Sequence, residues 1–252
     1  MASTAFASSD ELWLSIRREA TAAIAADPVL GTSSTGILDQ PDFGSAIAVL
    51  IGQRIGKSCD ERAQFTRTAK AAFAAEPALV EAASRDLQAI MARDPAIRGF
   101  LLPLLNFKGY VALEAWRVSN WLWRHGRGDF ARLMQSAASD QLQISIHPSA
   151  EIGTSVFLDH GTGIIIGALV TIGDEATILQ NVTVARHQHD PRYAPKIGRG
   201  VLLSAGATII GDISIGDFAK IGAGALVTSD VPSGCTAVGV PARLTNCVEA
   251  AM

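Results

Sequence analysis

Residues 197–226 read I-G-R-G-V-L, L-S-A-G-A-T, I-I-G-D-I-S, I-G-D-F-A-K and I-G-A-G-A-L, five consecutive blocks of six. Each block opens on an aliphatic residue, the second place is usually glycine, and the fifth is small or β-branched. A flat strand repeats every two residues and a helix every 3.6, so neither produces a six-residue period with its glycines in fixed phase. A triangular coil does. Each of its three sides points one aliphatic residue inward, and glycine or another small residue allows the tight corner between sides. This stretch therefore predicts a parallel β-helix of hexapeptide repeats.

Working outward, the same period recurs upstream. Leading aliphatic residues fall at Ile146, Ile152 and Leu158, then at Ile166, Ile172, Ile178 and Val184, before the train that begins at Ile197. Two places break the register. Between Leu158 and Ile166 there is a slip of two residues across Asp159-His160-Gly161-Thr162-Gly163, and from Val184 to Ile197 there are thirteen residues, one more than two units. Repeat proteins tend to place function where the repeat is interrupted, so the second stretch is expected to leave the coil as an extended loop.

Before residue 140 the pattern changes. Ala, Leu, Arg and Glu dominate 11–26, 44–55, 60–74, 77–91, 103–124 and 128–140, with apolar residues returning every three or four places, which predicts about six helices. Trp116, Trp121, Leu122 and Trp123 lie at helical spacing among Leu and Val and read as core or interface. The expected fold class is α+β: an all-helical domain over 1–140, a left-handed β-helix over 141–244 and a short tail over 245–252.

Composition narrows the function. Lys and Arg number 21 against 24 Asp and Glu, a net charge of -3 that offers no footprint for nucleic acid or an anionic membrane. Charged residues make up 18% of the chain, below the usual share of about 25%, so much surface is expected to be hidden in subunit contacts. No apolar run is long enough to span a bilayer, and residues 1–10 lack the pattern of a secretory signal, so a cytoplasmic protein is expected. Cys59, Cys235 and Cys247 are odd in number, far apart and without metal spacing, which predicts reduced thiols.

Three of the five histidines, His160, His187 and His189, fall inside the two interruptions. Histidine suits proton transfer near neutral pH, and a histidine beside a carboxylate is a recurrent general base. Asp159 is the adjacent carboxylate, although neighbours on a strand point to opposite sides. His160 could equally fill a corner. His187, Gln188, His189 and Asp190 carry ligand types for a metal, but their spacing is unspecific and a His-rich polar loop is commonly just solvated, so no metal is expected.

The segment D-H-G-T-G from Asp159, inside hexapeptide repeats and preceded by helices, resembles the serine acetyltransferases. The likeness extends from about residue 10 to 244 and includes R-D-P-A with Asp94, P-L-L-N-F-K-G-Y-V-A-L-E-A-W-R from Pro103, I-H-P-S-A-E-I-G from Ile146 and G-V-P-A-R from Gly239. The resemblance implies transfer of acetyl from acetyl-CoA to the hydroxyl of L-serine, the step that commits serine to cysteine synthesis, with His160 as general base. It implies that Asp159 and Asp94 orient the histidine or hold the ammonium group, Asp94 arriving from an adjacent subunit. It places coenzyme A near Ala205, Gly206, Ala223 and Gly224, with Lys220 and Arg243 toward its phosphates, and implies a homotrimer or a dimer of trimers.

Anchored on Pro195-Lys196-Ile197, the family's loop has histidine and arginine where this chain has Ala194 and Tyr193. Arg192 or Arg186 is then the candidate for the substrate carboxylate, and His187 or His189 for the missing histidine. The tail ends without the terminal isoleucine through which family members dock into O-acetylserine sulfhydrylase, so that docking is not expected. Two other readings stay open: a diverged acetyltransferase for another small hydroxyl or amine acceptor, and a β-helix scaffold without catalysis.

Overall fold

The computed structural model describes residues 7–34, 36–187 and 193–247. Eight helices precede the first strand among these residues: α1 (Ser9–Ala26), α2 (Val29–Ser34), α3 (Phe43–Ile55), α4 (Cys59–Ala75), α5 (Ala78–Arg93), α6 (Leu101–Asn106), α7 (Lys108–Arg124) and α8 (Gly128–Leu142). Local chemistry sets several of the ends. Ser8 with Glu11 and Ser58 with Glu61 form reciprocal capping boxes that start α1 and α4, and Asp42 accepts from the Ser45 N–H to start α3. The two helices beyond the expected six are α2 and α6, each only six residues long. The stretch 103–124 is not one helix. Phe107 is extended (ψ 104°) and serves as both the C-cap of α6 and the N-cap of α7.

Among the described residues fifteen strands follow, most of two residues, in three sheets. Face 1 stacks β1 (Ser145–Ile146), β4 (Ile165–Ile166), β7 (Thr183–Ala185), β10 (Thr208–Ile210) and β13 (Leu226–Val227). Face 2 stacks β2 (Glu151–Ile152), β5 (Thr171–Ile172), β8 (Lys196–Ile197) and β11 (Ser214–Ile215). Face 3 stacks β3 (Phe157–Leu158), β6 (Thr177–Ile178), β9 (Leu202–Leu203), β12 (Lys220–Ile221), β14 (Thr236–Val238) and β15 (Arg243–Thr245). The chain visits the faces in the order 1, 2, 3, one six-residue unit to a face, which is the path of the expected left-handed β-helix.

Every leading aliphatic residue of the six-residue period is the second residue of a strand, and the register stacks them coil upon coil. Ile146, Ile166, Val184, Ile209 and Val227 align on face 1, and Leu158, Ile178, Leu203 and Ile221 on face 3. All nine are buried, each worth roughly 1.5–3 kcal/mol of transfer free energy. The fifth positions, such as Val201, Ala207, Ala219 and Ala225, fill the corners of the same core and are fully buried.

The count across the second interruption needs correcting. Val184 lies on face 1 and Ile197 on face 2, which are consecutive sides, so this connection is one unit carrying seven extra residues and not two units with one. Spacing alone cannot tell an insertion from skipped repeats. A second correction concerns the thiols. After β14 the chain reverses, β15 pairs antiparallel with it (Thr236 opposite Thr245), and a disulfide joins Cys235 to Cys247, leaving Cys59 as the free and exposed cysteine. The hairpin brings together two residues whose separation of 12 had read as unrelated. Among the described residues no helix is long and apolar enough to cross a membrane.

The helical domain grips the first two coils through polar side chains. Arg117 of α7 donates through Nε to Asp86 Oδ2 of α5 at 3.0 Å and through Nη2 to the same oxygen and to Gly153 O at 2.8 Å. The Val156 N–H donates to Asp86 Oδ1 at 2.8 Å, and Asn120 donates to Pro148 O and Ala150 O. Glu114 lies 3.5 Å from Arg117 Nε and is fully buried. Burial raises both carboxyls, Glu114 well above the usual range and Asp86 less, because Arg117 and the Val156 N–H hold the charge of Asp86.

Candidate active site

A cavity of about 340 Å³ opens where α5, α6 and α7 meet the end of β3, and it is lined by Asp94, Asn106, Phe107, Lys108, Gly109, Leu158, Asp159 and His160. Asp94 is the C-cap of α5, with its backbone N–H on Ile90 O, and its Oδ1 accepts from the Ala96 N–H at 2.9 Å. Asp159 continues β3 by donating its N–H to Ile178 O. The two-residue slip then begins. His160 adopts φ 55°, and the Gly161 N–H donates to Asp159 O at 2.6 Å. This left-handed turn defeats the strand alternation that would part the two side chains, so His160 Nε2 and Asp159 Oδ1 sit 3.7 Å apart. The separation is electrostatic contact, longer than a hydrogen bond. The histidine is largely exposed (76%) and the aspartate 28% exposed.

Gly109 fixes the distance between the two domains at this point. A Cβ there would lie 2.1 Å from Leu158 O, so the start of α7 rests directly on the backbone of β3, one residue before Asp159. Asp94, Asp159 and His160 thus share a cavity within a single chain, which corrects the expectation that Asp94 arrives from an adjacent subunit.

The corner that carries His160 joins face 3 to face 1, and the later corners on that edge continue it as a ladder. Asn181 donates its N–H to Thr162 O, Gly206 to Gln180 O and Gly224 to Ala205 O, at 2.8, 3.0 and 2.9 Å. A Cβ on Gly224 would meet nothing within 4 Å, and one on Gly206 would meet only Gly224 backbone. Ala205, Gly206, Ala223 and Gly224 therefore form a strip with little side chain above it, beginning below the His160 turn. Lys220, opposite Thr236, and Arg243, opposite Val238, are exposed on face 3 beside that edge.

The inserted loop leaves from a different corner, between faces 1 and 2. Arg186 and His187 are exposed just after β7, Tyr193 is half-exposed, and Ala194 is buried. His189 and Arg192 lie outside the described residues, and none of the described loop residues lines the His160 cavity. Among the described residues no group of His, Cys, Asp and Glu converges as a metal-ligand set. Lys108, Asn106 and Phe107 line the cavity without having been singled out by sequence reasoning. Their signal was the run N-F-K-G-Y, whose glycine marks the close approach.

Comparison with known proteins bears on this arrangement. The family description "Serine acetyltransferase, N-terminal" matches residues 12–115, and "Bacterial transferase hexapeptide (six repeats)" matches 194–229. The chain is 38% identical over 235 residues to serine acetyltransferase of Salmonella typhimurium, covering 92% of this chain and 86% of that one. It is similar to the crystal structure of serine acetyltransferase from Brucella abortus, with TM-score 0.91, 38% identity and coverage of 94% and 98%. The same enzyme in complex with coenzyme A gives 0.90, 39%, 94% and 96%, and the soybean enzyme complexed with serine gives 0.90, 37%, 96% and 100%.

Proposed function

The chain belongs to the serine acetyltransferase family, and from that premise we propose which of its residues carry the reaction. The protein transfers the acetyl group of acetyl-CoA to the hydroxyl of L-serine and releases coenzyme A. In our reading His160 is the general base. Its imidazole takes the hydroxyl proton as the serine oxygen attacks the thioester carbon, and the protonated ring returns that proton to the sulfur when the tetrahedral intermediate collapses. Asp159, 3.7 Å away, steadies the imidazolium, and Asp94 with Asp159 receives the serine ammonium.

Coenzyme A is assigned to the bare edge past Ala205, Gly206, Ala223 and Gly224, which leads up to the His160 turn, with Lys220 and Arg243 toward its phosphates. The observation that carries the reading is this alignment: the cavity with two carboxylates and the histidine stands on the same edge as the strip of Ala and Gly, with the one corner of Gln180 and Asn181 between them.

Arg192 is assigned to the serine carboxylate, and His189 and His187 to the acceptor side of the site. Because their loop and His160 sit on different edges of the prism, we infer that three copies assemble around face 1, so that one copy's loop reaches its neighbour's His160. Face 1 supports this. Its outward positions, Ser145, Ile165, Thr183, Thr208 and Leu226, carry no charge, and Ile165 and nearby Leu169 are exposed, whereas face 2 presents Glu151 and Lys196 and face 3 presents Lys220.

The test is coenzyme A release from acetyl-CoA by the purified protein with L-serine against a panel of other small hydroxyl and amine acceptors. Saturable turnover with serine is expected. Turnover with another acceptor but not with serine would make Tyr193 and Ala194 the determinants of a changed specificity.

A further inference from the structure

A free amino acid whose hydroxyl lies at His160 brings two charges into the cavity, and each needs a partner once water is displaced. Asp94 and Asp159 answer the ammonium. For the carboxylate, the loop assigned above brings Arg192 from a neighbouring copy, with Tyr193 and a buried Ala194 at the two places where the family pattern has arginine and histidine. Lys108 is the basic residue besides His160 among those lining the cavity. We propose that Lys108, the first residue of α7, contacts the carboxylate of the amino-acid acceptor and so restricts the site to amino acids over uncharged or purely cationic hydroxyl compounds. The proposal rests on the assignment of the acceptor to this cavity and supplies a contact to that carboxylate from the chain that carries His160.

Three features of the structure support it. First, the backbone that carries Lys108 is held against the strand that carries the base, because the neighbouring Gly109 is pressed against Leu158 O, where a Cβ would lie at 2.1 Å. Second, the ammonium of Lys108 has no hydrogen-bond or ion-pair partner among the described residues, although two carboxylates line the same cavity of about 340 Å³. A cation kept apart from two anions in so small a space leaves room for a zwitterion between them, ammonium toward the aspartates and carboxylate toward the lysine. Third, Phe107 caps α7 with no side-chain hydrogen bond, so the N-terminal end of a 17-residue helix adds its positive potential on the same side as Lys108.

The experiment compares L-serine with L-serinamide, which keeps the hydroxyl and the ammonium and lacks the negative carboxylate, in the full-length protein and its Lys108→Met and Lys108→Arg variants. Losing one charge-assisted hydrogen bond is expected to raise the KM for serine by about tenfold to a hundredfold in Lys108→Met. The KM values for serinamide and for acetyl-CoA are expected to hold within about twofold, and Lys108→Arg to recover most of the loss. A purely structural role would move serine and serinamide together. Equal changes for both acceptors, or no change for either, would overturn the proposal while wild-type turnover of serine left the functional reading intact. A wild-type protein silent with serine would overturn both.

Discussion

Two clusters of acids and bases lie along the contact between α7 and the first coil, and they are built to opposite ends. In the junction cluster Asp86, Glu114 and Arg117 are all within 5% of complete burial, and Asp86 accepts from both Arg117 and the Val156 N–H. At the corner, Asp159 and His160 stand 28% and 76% exposed, touch without hydrogen bonding, and face a cavity. The first set uses its charges to fix one domain on the other. The second leaves its polar atoms open toward whatever enters. Strongly shifted titration is therefore no guide to catalysis in this chain, since Glu114 and Tyr110, pushed furthest by burial, belong to the set that holds the fold.

The contrast can be broken by exchanging the readouts. His160→Ala should lower the rate of coenzyme A release by about 10²–10⁴-fold, the worth of a general base, with the urea unfolding midpoint unchanged. Rate retention would remove the corner from the chemistry. Asp86→Asn should do the reverse, costing up to about 3–5 kcal/mol of stability by taking its nearest carboxylate from buried Arg117 and leaving it the more distant Glu114 carboxyl at 3.5 Å, while the KM for serine stays put under conditions where the variant is folded. A smaller effect sharpens the junction further. Because the folded-state pKa of Glu114 is raised, its proton stabilises the native state fully below the unfolded value of about 4.5, and that contribution is lost as pH rises toward the raised value. Glu114→Gln, neutral at every pH, should remove a slope of about 1.4 kcal/mol per pH unit from the stability profile in that window. Parallel profiles for the two proteins would show that Glu114 is ionised in place.

The repeat was legible because a coil dictates a residue type at every sixth place, and each leading residue from Ile146 to Val227 sits where the period puts it. The slip at Asp159 was legible as an interruption. Its meaning was not, because only the left-handed conformation of His160 turns two neighbours toward each other. Short helices escaped for lack of periods: α2 and α6 are under two turns, and α6 is separated from α7 only by the extended Phe107. The junction cluster was invisible in sequence, since Asp86 is 31 residues from Arg117 and each charge reads alone as an ordinary helical one. Lys108 escaped for a related reason, because a lysine opening a helix reads as solvated until Gly109 shows how closely that helix approaches β3.

The reversal at the C-terminus has a consequence for how the molecule behaves in a crowd. A parallel coil ends on a row of unpaired N–H and C=O groups, and such a row is a template on which another chain can add strands. Here the Leu226 N–H donates to Gly239 O, the Ala242 N–H donates back to Leu226 O, and β15 runs antiparallel over β14, tied by Cys235 and Cys247. The last nine described residues thus act as a lid on the open end of the stack, the other end being held under the helical domain, and a chain shortened before Gly239 should pair through its bared last coil, seen as a rise in mass with concentration by light scattering.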